Sequence, residues 1–286
     1  MRLLGIFVTL AFGLVIAQAQ PADREALWKE VADAEKKGLP KTAAAKLQLI
    51  YNSAMQEGKH AEAIKALAKR ITNEGAVQGN KPEEKITRLQ AELEKTPEEA
   101  KPLLQTILGH WYWQYFRANR YRFLQRTATA QPLGEDFTKW DLPRLYHEID
   151  LHFTNALADG RLKTIPTTDF ADLLTKPTLP EKYRPTLYDF IAHEALGFYS
   201  SGEFAAAKPE DAFEVTADDP LLGSLAQFLT WQPQTTDTGS PKFKAVRLYQ
   251  ELLRFHRDDA DSSARVDADI ARLLHGKNIA TGDGAN

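Results

Sequence analysis

Cysteine is missing from all 286 residues. That one absence removes disulfides, thiolate nucleophiles, Cys-ligated zinc and iron–sulfur clusters together. A surplus of positive charge is missing as well: 36 Lys and Arg stand against 39 Asp and Glu, a formal charge of −3. A general nucleic-acid binder normally carries a basic face, so that class is set aside. The chain also lacks a Gly-rich phosphate loop, a nucleophile elbow and the glycine fingerprint of a dinucleotide site. Alternation of apolar and polar residues with a period of two, the mark of a half-buried strand, is nearly absent. What remains is 43% hydrophobic and 26% charged, enough to bury a core. The length exceeds the usual single-domain mode, so one extended unit or two compact ones are expected.

The first residues carry a compartment signal. Arg2 forms a short positive region, and residues 3–16 contain no charged or strongly polar side chain. Ala17-Gln18-Ala19 then offers the small-x-small pattern of a signal-peptidase site, which predicts cleavage after Ala19. About fourteen apolar residues are too few to cross a hydrocarbon core of about 30 Å. Lipoprotein anchoring needs a cysteine at the cleavage site and is excluded. No later stretch is apolar enough to span a membrane. The mature chain is therefore expected to be exported, to the periplasm or the medium.

The rest reads as helix after helix. Residues 42–59 place Ala43, Leu47, Ile50, Tyr51 and Ala54 on one face of a 3.6-residue period. Gly58 closes that helix, and Ala61, Ile64, Leu67, Ala68 and Ile71 resume the stripe, which predicts an antiparallel hairpin. Residues 23–37 form an earlier helix that exits through Gly38-Leu39-Pro40. Pro82 with Glu83 and Glu84 opens another, because acids suit the positive end of the macrodipole. Thr96-Pro97-Glu98-Glu99 repeats this signal before a long helix. Further helices are expected over residues 143–158, 183–199 and 245–255, with a last one from Ser262 or Ser263 to about Leu274. Loops near 127–142, 160–182, 202–219 and 230–241 are long for a tight bundle. The expected fold is all-α: antiparallel helix hairpins in an irregular tetratricopeptide-like array, without a constant 34-residue period. The expected organisation is a signal peptide (1–19), N-terminal hairpins (20–126), a C-terminal part of the same array (127–275) and a disordered tail (276–286).

Chemistry-bearing patterns are few. Residues 110–123 hold seven aromatics and three arginines. They suit either an exposed docking groove or a central helix touching neighbours on several sides, with its arginines snorkelling. On the first reading Trp111, Trp113, Tyr115 and Arg120 are the candidate partner-binding residues, because Trp, Tyr and Arg dominate interface hot spots. His193-Glu194 begins like a zinc-protease motif, but position 197, where the second histidine should stand, is glycine. His147 and His152 are spaced poorly for one metal on a helix. Asp218, Asp219, Asp258, Asp259 and Asp261 read as helix-terminal acids rather than a calcium loop. No cofactor, metal or catalytic residue is expected.

Several segments resemble the helical N-terminal region of large bacterial alpha-2-macroglobulin-family proteins of the Bacteroidetes type. They are Leu27-Trp28-Lys29-Glu30-Val31 leading into Lys37-Gly38-Leu39-Pro40-Lys41-Thr42-Ala43, and the helix at 61–70. Asn119-Arg120-Tyr121-Arg122-Phe123, Trp140-Asp141-Leu142 and residues 184–193 continue the likeness. The family traps proteases: a bait segment is cut, macroglobulin β-domains close, and some members acylate the attacker through a Cys–Gln thioester. This sequence has no cysteine, no β-domains and no evident bait. The resemblance therefore implies a non-catalytic exported interaction module, the front of a longer macroglobulin-like chain, whose partner is a protein or that chain's remaining domains. The alternative is a stand-alone periplasmic scaffold unrelated to protease control.

Overall fold

The computed structural model of the chain describes residues 23–79, 81–125, 134–171, 173, 179–202 and 211–282. The expected signal peptide lies outside these residues. Among them the fold is all-α, with eleven α-helices and a single two-residue strand pair. No helix among them is long and apolar enough to cross a membrane.

Helices α1 (Arg24–Lys36), α2 (Pro40–Gln56) and α3 (His60–Val77) form the first group. Asp23 caps α1 by accepting from the Ala26 amide. Gly38 and Gly58 adopt positive φ of 67° and 68° at the two turns, where a side chain would be strained. The expected stripe of α2 is the observed one: Ala43, Leu47, Ile50 and Ala54 are buried, while Tyr51 is half-buried against the same core. Polar ties reinforce the packing. Glu62 on α3 accepts from Arg24 Nε and from Trp28 Nε1 on α1, each at 2.9 Å, and Glu35 on α1 accepts from Asn73 on α3 at 3.0 Å.

Helices α4 (Pro82–Leu93), α5 (Lys101–Ala118) and α6 (Arg120–Leu124) follow. The helix expected from Thr96 starts later, at Lys101, with Pro102 in its first turn. Next come α7 (Leu142–Leu157), α8 (Leu187–Tyr199), α9 (Leu225–Thr230), α10 (Pro241–Phe255) and α11 (Ser263–Ile279). Each long helix packs on the next long one: α1 on α2, α2 on α3, onward through α4, α5, α7, α8 and α10 to α11. The connections hold short 3-10 turns at Phe137–Lys139, Gly160–Thr164, Thr167–Phe170 and Glu181–Tyr183.

One expectation is overturned. Residues 276–281, assigned to a tail, belong to the fold: α11 runs to Ile279, and β2 (Ala280–Thr281) pairs in parallel with β1 (Val215–Thr216). Gly276 is not a helix terminator. It is buried, and a Cβ there would sit 2.9 Å from Leu222 Cδ2 and 3.1 Å from Leu221 Cγ. The glycine allows α11 to lie against the loop before α9.

Candidate interaction surface

The aromatic–arginine stretch occupies α5 and α6. Along α5, Leu104, Leu108, Tyr112, Tyr115 and Phe116 turn inward with spacings of three and four. Gly109 faces α7, where an added Cβ would lie 3.3 Å from Phe153, so the two helices approach closely. Asn119 ends α5 by donating from Nδ2 to the Tyr115 carbonyl at 2.9 Å. The chain then turns into α6.

An aromatic cluster results. Tyr112 meets Phe137 edge-on at 5.1 Å and stacks on His152 at 5.6 Å. Tyr115 packs edge-on against Phe123 and Phe137, and its hydroxyl accepts from Arg122. At 3% exposure, Tyr115 has no surface to offer a partner, so it leaves the candidate list. Trp111 and Trp113 are half-buried against the main core. Trp113 meets Phe198 edge-on at 5.6 Å and carries Arg117 at 5.9 Å from its ring centre. Arg120 is exposed. Beside it stand Tyr121, 76% exposed, and Leu124, 43% exposed. Tyr121 is the residue that sequence reasoning missed. The signal was available: with 112, 115, 116 and 123 facing inward, 121 falls on the opposite side.

The buried polar groups bind helices together. Thr186 and Asp189 form a reciprocal capping box at the start of α8. The second Asp189 oxygen meets His256 Nε2 at 2.6 Å, and His256 Nδ1 meets Asp259 at 2.7 Å. His256 caps the C-terminus of α10, so the carboxylate sits at a positive helix end and the imidazole at a negative one. Burial opposes charge on His256, but the hydrogen bonds and attraction from Asp189 and Asp259 outweigh it and raise its pKa. A histidine held by a carboxylate is half of a catalytic triad. Here both ring nitrogens are engaged, and Asp189 and His256 are 1% and 2% exposed. No nitrogen is left to take a substrate proton. His193, half-buried, and His275, buried, are pushed down to about 4 by desolvation, with Arg184 adding repulsion at His193 and Lys242 at His275. Glu194, the neighbour of His193, faces His110 at 3.5 Å.

A cleft of about 330 Å³ lies between the segments around Phe213 and Trp231. Its acids are engaged within the fold: Asp219 accepts from the Thr216 amide in a local turn, while Asp211 accepts from Thr236 and Glu214 pairs with Lys242 across longer separations. Among the described residues, no three His, Asp or Glu side chains gather closely enough to hold a metal ion. Comparison of the chain with protein-family models, with curated proteins and with solved structures gives no match in any of the three.

Proposed function

We propose that this chain is a non-catalytic exported helical interaction module. It is built as an irregular tetratricopeptide-like array of antiparallel hairpins and is related in kind to the N-terminal region of alpha-2-macroglobulin-type protease-trap proteins. The observation that carries the reading is the exposed aromatic–cationic patch at the α5–α6 corner. Arg120, Tyr121 and Leu124 stand out there on α6, following the half-buried Trp113 and its overlying Arg117 on α5. Exposed tyrosine and arginine, with a partly covered tryptophan on the preceding helix, are the residue types that dominate interface hot spots. In this reading the docked partner is another protein or a further domain of a longer macroglobulin-like chain. The neighbour-on-neighbour packing order of the helices supports the array, since each element is held mainly by those beside it.

A docking module does not itself disable a protease, because trapping requires a cleavable bait coupled to domains that move. Titration of the purified chain against trypsin and elastase, with a large protein substrate as reporter, is expected to leave protease activity unchanged. Stoichiometric loss of activity would overturn the module reading. The reading frame downstream of codon 286 provides an independent check on the macroglobulin relationship.

A further inference from the structure

The chain as a whole has a formal charge of −3, yet residues 100–134 contain no Asp or Glu and five Lys or Arg. Helix α6 lies within that stretch. At about 100° per residue, Arg120 and Arg122 stand on either side of Tyr121, and Leu124 falls between Arg120 and Tyr121. Phe123 alone turns inward. Tyr121 and Leu124 are 76% and 43% exposed, and both arginines are exposed.

The two charges are not cancelled within the described residues. The Arg122 guanidinium donates to the neutral Tyr115 hydroxyl and lies over the Tyr115 and Phe123 rings, 5.6 and 5.4 Å from their centres. Neither Arg120 nor Arg122 forms an ion pair with a described carboxylate. Acids on the helices packed against α5 are committed elsewhere: Glu148 pairs with Arg144, Asp150 pairs with Lys244, and Glu194 faces His110. Asp136, in the turn before α7, pairs with Lys139.

We infer that this corner docks an acidic segment of a protein partner, with carboxylates on either side of an apolar side chain. The inference rests on the reading of the chain as an interaction module and adds the partner's chemistry. A guanidinium holds a carboxylate through two parallel hydrogen bonds, which fixes direction as well as charge. Two such pairs bracket Tyr121, whose ring, with Leu124 beside it, covers the apolar residue between the acids. An anionic membrane surface suits the corner less. Such surfaces are held by clusters of about four to eight Lys or Arg, and a net charge of −3 repels an extended polyanion.

Selection of a random linear peptide library, displayed on phage, against the full chain tests the inference. Enriched sequences should carry Asp or Glu on both sides of an aromatic or aliphatic residue. A synthetic copy of the most enriched peptide should bind about tenfold more weakly to Arg120→Glu and to Tyr121→Ala. Its affinity should also fall as salt rises from about 0.05 M to about 0.5 M. Both substituted side chains point outward, so the variants should keep the circular dichroism and melting temperature of the wild type. Arg122 is left in place because it holds the Tyr115 hydroxyl. Three results would overturn the inference: no enriched peptide, or enriched peptides without an excess of Asp and Glu; binding that Arg120→Glu leaves unchanged; or binding to phosphatidylglycerol vesicles that Arg120→Glu abolishes, which would assign the cations to a lipid surface. The module reading fails on a different result, the loss of protease activity in the titration with trypsin and elastase. A chain that leaves both proteases active and selects no acidic peptide contradicts the inferred partner chemistry alone.

Discussion

Replacing His275 by asparagine should flatten the loss of stability between pH 7 and pH 5. His275 lies on the buried side of α11 at 5% exposure, with its ring 5.7 Å from that of Tyr249 and Nδ1 3.0 Å from the Ser200 hydroxyl. Burial, with some repulsion from Lys242, lowers its pKa from 6.5 to about 4. As pH falls below 6.5 the unfolded chain binds a proton that the folded chain refuses until about pH 4. The folded state is therefore progressively disfavoured across that window. Linkage arithmetic for one such group gives a loss of about 2 kcal/mol from pH 7 to pH 5 and about 3 kcal/mol by pH 4. Asparagine keeps a polar atom near the position of Nδ1 but does not titrate. The packing lost with the imidazole ring is the same at every pH and cancels from the comparison. Urea unfolding at pH 7, 6 and 5 is the assay, with the wild type expected to lose about 2 kcal/mol more than the variant. Parallel profiles, agreeing to within about 0.5 kcal/mol, would refute the claim that His275 is held neutral by burial.

Three further outcomes follow from the packing. His256 has the opposite sign: its raised pKa gives stability that is complete below about 6.5 and is lost as pH rises through the higher folded value, so the gap between wild type and His256→Gln should be wider at pH 6 than at pH 9 in urea unfolding. Arg272 is 1% exposed, donates to the Leu221 and Gly223 carbonyls and lies 4.8 Å over the Phe228 ring. Arg272→Met should cost about 2–5 kcal/mol by stranding two carbonyls, and a loss under about 1 kcal/mol would show that water replaces the guanidinium. Leu67 is fully buried in the main core, so Leu67→Ala should cost about 2–5 kcal/mol, measured as a shift in urea midpoint at unchanged slope.

Helical periodicity carried most of the fold, because an amphipathic stripe is a local signal. Leu47, Ile64, Leu67 and Leu187 are all buried as the stripes require, while Tyr51 and Phe190 pack half-buried against the core. Helix α9 escaped because six residues are too few to show a period, although Ser224 and Gln227 form a capping box that marks its start. The end of α11 was not legible because the reason for Gly276 is contact with Leu221 and Leu222, more than fifty positions earlier. The aromatic stretch was only half legible. Its composition fits a core and a surface equally well, and the decision between them lay with Phe137, Trp140, His152 and Phe198, which reach it from other elements. Seven aromatics in a row of fourteen residues cannot all be exposed once such neighbours arrive.

The distribution of charged side chains explains how the helices keep their relative placement. Apolar stripes tolerate sliding, because one methyl contact replaces another at small loss. A charged hydrogen bond between two helices holds only at one register. Such ties recur along the chain: Glu62 joins α3 to α1, Arg70 joins α3 to Glu92 on α4, Asp150 on α7 receives both Tyr199 of α8 and Lys244 of α10, and His256 joins α10 to Asp189 of α8. Each spans residues that are distant in sequence, so none could be read from local spacing. Together they set the relative placement of helices whose apolar contacts would permit several. The buried titratable groups of the C-terminal half are thereby committed to position. The side chains these ties leave unengaged include Tyr121 and Arg120 at the α5–α6 corner and Val266, Ile270 and Leu273 on the outer face of α11.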